Sequence, residues 1–155
     1  MQINGKRWMV VVLIALAFGR TGPVIASDED HDLIGNMGAM QYFSHKLDLS
    51  IHHRNRELAD FYAHEIQETL EETTEIDEYH GKPIGELAET MLTPAFERFE
   101  RALDDDNGDW KTIDNRFGEL IDACNACHQA TGYGYIDIQR TDANPYMQSF
   151  SPGKP

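Results

Sequence analysis

The feature that most constrains this chain is a helical apolar stripe that runs into two cysteines and a histidine. Between about residues 109 and 130, apolar side chains recur at intervals of three and four. At about 100° per residue around the helix axis, eight side chains fall within one arc of about 120°. These are Trp110, Ile113, Phe117, Leu120, Ile121, Cys124, Cys127 and His128. The cysteines and the histidine therefore extend the stripe that faces the core.

Three earlier segments show the same period and predict three further helices. The first covers about residues 37–53, and the second covers about residues 56–73 behind Asn55 as a possible N-cap. The third covers about residues 84–102 and contains Pro94, where we expect a kink. The inward side chains of the first helix are Met37, Met40, Phe43, Leu47 and Ile51.

The connections between these helices are short and polar. Residues 75–82 form a link, residues 104–108 form a turn, and residues 27–36 read as an acidic, loop-like lead. No strand-like alternation precedes the tail. The sequence therefore predicts an all-α antiparallel four-helix bundle over residues 27–130. Glycines and prolines then predict an extended C-terminal tail, residues 131–155. We expect this tail to pack on the bundle, because its aromatic side chains would otherwise be exposed.

Residues 1–26 have the composition of an export signal. Lys6 and Arg7 precede an apolar run over residues 8–18, and small residues lie just before Ser27. We expect cleavage before Ser27 and delivery to the periplasm. The apolar run has about 11 residues where a span needs about 20, so no membrane span is expected after cleavage. An uncleaved anchor is the alternative.

The charge of the exported part restricts its partners. All 27 acidic residues follow residue 26, with ten of the 13 basic residues, which leaves a formal charge of −17 on 129 residues. One domain of this size is expected. Such a surface repels nucleic acid and anionic membranes. It favours a basic protein partner, or it is simply a solvated surface.

The motif that carries chemistry is Cys124-Asn125-Ala126-Cys127-His128. This C-x-x-C-H pattern is typical of c-type haem attachment, in which each thiol forms a thioether with a haem vinyl group. His128 then follows on the same helix face as an iron ligand. A redox dithiol would normally open a helix rather than close one. A zinc site would need further close ligands.

The other histidines are less specific. By their positions, solvent-exposed roles are expected for His31, His52, His53, His64 and His80. His45 differs, because it lies well off the inward stripe of the first helix, in a second apolar strip. A contact between two copies of the chain would explain that strip.

The sequence resembles the cytochrome c prime family of exported four-helix bundles with one haem on the last helix. The segments Gln41-Tyr42-Phe43-Ser44-His45-Lys46-Leu47, Cys124-Asn125-Ala126-Cys127-His128-Gln129-Ala130-Thr131-Gly132 and Ala143-Asn144-Pro145-Tyr146 are similar to those of small exported bacterial c-type cytochromes. The resemblance implies that Cys124 and Cys127 bind haem, that His128 is the proximal ligand, and that the protein is a homodimer through its first two helices. Unlike that family, this chain continues for 27 residues after its haem motif.

Two functions follow from one haem. The first is electron transfer, with the iron held by two protein ligands and an acidic surface that docks a basic redox partner. The alternative is a protein that binds nitric oxide or carbon monoxide at an open iron position. No enzyme activity is expected, because no acid, base or substrate pocket is recognisable in the sequence. Met40 is the predicted distal residue, and His45 is its rival.

Overall fold

The computed structural model describes residues 32–153, and they are mostly helical. The elements are α1, Leu33–His52; α2, Arg56–Thr74; α3, Ile84–Leu87; a π-helical turn, Ala88–Leu92; α4, Thr93–Asp104; and α5, Trp110–Thr131. Within residues 32–153 there is no strand, which confirms the all-α prediction. No helix in this part of the chain has the length and apolar character of a membrane span. The predicted export signal lies outside the described residues.

Helix α1 begins four residues earlier than predicted. Leu33 is buried with Ile76 and Ile84 in a small apolar cluster, and Met37 packs against the same cluster. The prediction of a loop-like lead is therefore wrong for residues 33–36. Contacts with a distant link and with α3 stabilise a helical turn whose local sequence is not strongly helical, since propensity is a weak guide where tertiary contacts exist.

Helices α2 and α5 begin at side-chain N-caps. The Asn55 side chain accepts a hydrogen bond from the Leu58 backbone N–H at 3.3 Å, so the predicted N-cap of α2 is present. Asp109 caps α5 in the same way through the N–H groups of its first turn. Gly132 ends α5 with φ of 87°, a left-handed conformation that favours glycine.

A π-helical turn precedes Pro94 in the third helical stretch. Ala88–Leu92 is π-helical, and Pro94 then lies in the first turn of α4. Because the helical backbone is continuous from Ile84 to Asp104, Pro94 has no N–H to donate to the preceding turn. The irregularity that the sequence places at Pro94 thus begins several residues earlier, where the backbone widens before the proline.

The helices enclose one main core. Helix α1 packs on α2, α4 packs on α5, and α5 also contacts α1. Phe99 of α4 and Phe117 of α5 meet edge to face at 5.8 Å between ring centroids, and both are fully buried. Aromatic pairs in this geometry add to the stabilisation from burial. Cys124 and Cys127 of α5 are partly buried and pack against this core.

The C-terminal tail crosses the helices and is fixed at several points. Phe150 is only 2% exposed, and its carbonyl oxygen accepts a hydrogen bond from the Asn55 side chain at 3.1 Å. Arg140 forms ion pairs with Asp48 of α1 and Asp114 of α5. The tail therefore covers α1 and links it to α5 through side chains far apart in sequence.

Candidate functional site

The C-x-x-C-H motif lies in the last two turns of α5. Cys124, Cys127 and His128 are each partly buried, and neither cysteine is in a disulfide. All three line one cavity of about 550 Å³. This volume is within the roughly 300–1,000 Å³ of typical cofactor and ligand pockets. The helical register predicted from the sequence thus brings the three motif residues to one space.

The walls of this cavity come from six parts of the fold and are mainly apolar. Helix α1, the end of α2, the link after α2, the stretch from α3 to the π-helical turn, α5 and the tail all contribute. Apart from the motif, the apolar side chains include Leu33, Met37, Met40, Ile84, Ala88, Leu92, Ile121, Ile136 and Ile138. No Asp, Glu, Lys or Arg lines the cavity among the residues of 32–153. Such a space suits a large, flat, apolar group with few polar edges.

Met40 reaches this cavity from α1. Its side chain is 8% exposed and belongs to the main core. It lines the same cavity as Cys124, Cys127 and His128. The residue predicted on the distal side therefore shares the space with the motif.

His45 is engaged elsewhere. Its Nε2 lies 3.0 Å from the carbonyl oxygen of Ala143, and its Nδ1 lies 3.0 Å from the hydroxyl of Tyr146. It lines a smaller, neighbouring cavity between α1, α5 and the tail, and it is not among the residues that line the cavity of the motif. The second apolar strip of α1 thus contacts the chain's own tail, and the homodimer implied by the resemblance stays a prediction.

The ring of His128 is oriented by the tail. Its Nδ1 lies 2.9 Å from the carbonyl oxygen of Ile136. A carbonyl oxygen only accepts hydrogen bonds, so Nδ1 carries the proton and Nε2 keeps its lone pair. Metal-binding histidines commonly donate their second ring N–H to a carbonyl or carboxylate in this way. The arrangement suits iron coordination through Nε2.

Asn125, between the two cysteines, also holds the tail. Its side-chain nitrogen donates to the Ile138 carbonyl oxygen at 3.0 Å, and its side-chain oxygen accepts from the Ile138 N–H at 2.7 Å. The sequence alone indicates no role for Asn125. A polar amide within an inward-facing motif was the available signal, since buried amides require partners.

The pKa values of both cysteine thiols are raised, which is opposite to the shift expected for a redox dithiol. Burial, and then the neighbouring Cys127, raise the pKa of Cys124 to about 12. Burial also raises the pKa of Cys127. A reactive dithiol needs a lowered thiol pKa. Within residues 32–153 no three His, Cys, Asp or Glu side chains are grouped to hold a metal ion.

The remaining histidines divide into two groups. His52 and His53 are exposed, and exposed His64 lies 3.4 Å from Glu68, as expected for surface residues. His80 is exposed too, but it also lines the cavity of the motif. The sequence did not indicate this position, because the link that carries His80 is placed by tertiary contacts. His31 lies outside the described residues.

Comparison with known proteins adds no homologue. No protein-family model matches this sequence, and no curated protein or solved structure matches it either. The functional argument therefore rests on the chemistry of the residues around this cavity.

Proposed function

We propose that this chain is an exported c-type cytochrome that holds one covalent haem and transfers electrons. The observation that carries the proposal is that Cys124, Cys127 and His128 line a single apolar cavity. When bound, the haem supplies reversible one-electron chemistry between ferric and ferrous iron. The cavity fits the group because its lining is apolar and its volume suits a cofactor.

Each residue of the motif has a separate role in this proposal. The thiols of Cys124 and Cys127 would each add across a haem vinyl group, and the two thioethers would prevent loss of the haem. Nε2 of His128 would bind the iron, because Nδ1 contacts the Ile136 carbonyl oxygen. That hydrogen bond also makes the imidazole a stronger electron donor, which tunes the iron.

The helix arrangement is consistent with an antiparallel four-helix bundle, in which the cofactor lies between helices. Short links join α1 to α2 and α4 to α5, and these pairs pack on each other. Met40 of α1 and the motif of α5 line the same cavity, so Met40 would lie near a haem held there. We propose that its thioether would be the second protein ligand of the iron.

Methionine on the distal side favours electron transfer over gas binding. A thioether ligand raises the reduction potential and occupies the position that a gas would need. The tail has a complementary role, because its hydrogen bonds to His128 and Asn125 hold it against the motif. The acidic surface would then dock a basic redox partner in the periplasm, after removal of residues 1–26.

The proposal is tested by absorption spectra of the isolated protein in both oxidation states, with and without carbon monoxide. Electron transfer predicts a six-coordinate, low-spin spectrum that carbon monoxide does not change. A high-spin ferric spectrum and rapid carbon monoxide binding would instead support the gas-binding alternative. Absence of a haem spectrum, after expression with cytochrome maturation machinery, would overturn the proposal.

A further inference from the structure

His80 lies in an unusual backbone turn. Tyr79 and Lys82 exchange two backbone hydrogen bonds, at 2.9 and 3.1 Å. Between them, His80 has φ of 50° and Gly81 has φ of 76°. Two successive positive φ values are the pattern of a type I′ turn, where asparagine is favoured at the first central position. A histidine there has a conformational cost, and such outliers often mark functional positions.

Two tyrosines hold the His80 ring. Tyr79 stacks on it, with 4.1 Å between ring centroids and 19° between the planes. The hydroxyl of Tyr133 lies 3.2 Å from Nδ1. Nε2 makes no hydrogen bond to any residue of 32–153. The imidazole is therefore pre-oriented by its neighbours, with one ring nitrogen available.

The location of the His80 Nε2 matters because the described lining of the cavity has few side chains that can carry a positive charge. Among the described lining residues there is no Lys or Arg, and in the proposed function His128 would bind the iron. Of the lining side chains within residues 32–153, His80 is therefore the only other one that can become a cation. A haem carries two carboxylates, and a carboxylate that is covered without a partner has a large desolvation cost. We therefore expect the haem carboxylates to lie at the exposed rim of the cavity, where His80 is also exposed.

We propose that His80, positioned by Tyr133, binds a carboxylate of the haem through Nε2. This inference rests on the proposed function, because it concerns the same cofactor. The competing role, an axial iron ligand, requires a side chain directed between the helices. His80 lies instead on an exposed link at the rim. The nearest acidic group in the turn, Glu78, accepts a hydrogen bond from the Gly81 N–H at 3.2 Å and stabilises the turn.

The test uses haem-loaded protein and the substitution His80→Asn. Asparagine suits the left-handed position, so the turn is retained while the imidazole is lost. His64→Asn is the matched control, because His64 is exposed on α2 and contacts only Glu68 among the charged groups described. The measurements are the carboxylate-bending band of the haem in resonance Raman spectra and the midpoint potential.

We expect His80→Asn to shift that band toward the position of a weakly hydrogen-bonded carboxylate. The midpoint potential should fall, because a less compensated negative charge favours ferric iron. Tyr133→Phe should shift both in the same direction by a smaller amount, and His64→Asn should shift neither.

Three outcomes separate this inference from its rivals. A shifted band with unchanged axial ligation supports it. An unchanged band and potential in His80→Asn would overturn it and leave the histidine a turn residue only. A change of iron spin state in His80→Asn would also overturn it, because His80 would then be an axial ligand. If the parent protein contains no covalent haem, the proposed function itself fails.

Discussion

Nδ1 of His128 lies 2.9 Å from the carbonyl oxygen of Ile136, so the tail orients the histidine of the attachment motif. The two residues are only eight apart, but α5 ends between them at Gly132. The chain therefore turns back over its own motif. A second side chain of the motif, Asn125, also binds the tail backbone, through two hydrogen bonds with Ile138. The start of the tail therefore lines the same cavity as the motif.

The first prediction concerns His128→Ala. Both cysteines remain, so covalent attachment should persist, but the iron loses its proximal ligand. We expect a changed absorption spectrum and a lower melting temperature of the holoprotein. The control is Gln129→Ala, next to it on the exposed side of α5. An unchanged spectrum in His128→Ala would mean that the proximal ligand is a different residue.

The second prediction separates Met40 from His45. Met40→Ala should abolish the ferric band at the red end of the spectrum that marks sulfur ligation, and it should open the iron to carbon monoxide. His45→Ala should leave the spectrum unchanged, because both ring nitrogens are hydrogen-bonded to the tail. The opposite result, with only His45→Ala altering the spectrum, would contradict this assignment of the distal side.

The tail contributes to stability through Phe150. This ring is 2% exposed and lies 6.3 Å from Tyr62 and 6.2 Å from Tyr146, between centroids. Phe150→Ala should lower the free energy of unfolding by about 3–5 kcal/mol, the usual cost of removing a buried phenylalanine. Met147→Ala is the control, because Met147 is fully exposed and should change stability by about 0.5 kcal/mol or less. Equal effects in chemical denaturation would show that the tail is not packed as described.

How far the sequence determines the fold is clearest at the helix ends. The Asn55 cap and the region of α5 were predictable, because capping and a long apolar period are local signals. The start of α1 was not, since Leu33 becomes helical through contacts with Ile76 and Ile84. The π-helical turn was also missed, because a proline marks an irregularity but not the turn that accommodates it.

The residues of the candidate site also divide into those indicated by local sequence patterns and those placed by tertiary contacts. The cysteines and His128 were identifiable from spacing alone, and Met40 from the inward face of its helix. Asn125 and His80 were not, because each depends on a backbone segment placed by tertiary contacts. A hydrogen bond to a carbonyl 13 residues away, as at Ile138, leaves no periodic signal in the sequence.

The acidity of the thiols gives a prediction for protein without haem. With its pKa raised from 9.0 to about 12, Cys124 should hold about a thousandfold less thiolate at pH 8 than an unperturbed thiol. The folded state favours the neutral Cys124 thiol. The contribution of this thiol to the free energy of unfolding is therefore fully present below pH 9 and is lost as the pH rises toward 12. Alkylation of folded protein at pH 8 should be correspondingly slow, and denaturant should restore the normal rate. Equally fast alkylation in both states would contradict the raised pKa.

The most direct test of the central claim is the intact mass of the exported protein, made in a host with cytochrome maturation machinery. The account predicts one added haem that survives extraction with acid acetone. Replacement of both Cys124 and Cys127 by alanine should remove that mass. An unmodified parent mass, or a disulfide between Cys124 and Cys127, would contradict the claim that this chain is a c-type cytochrome.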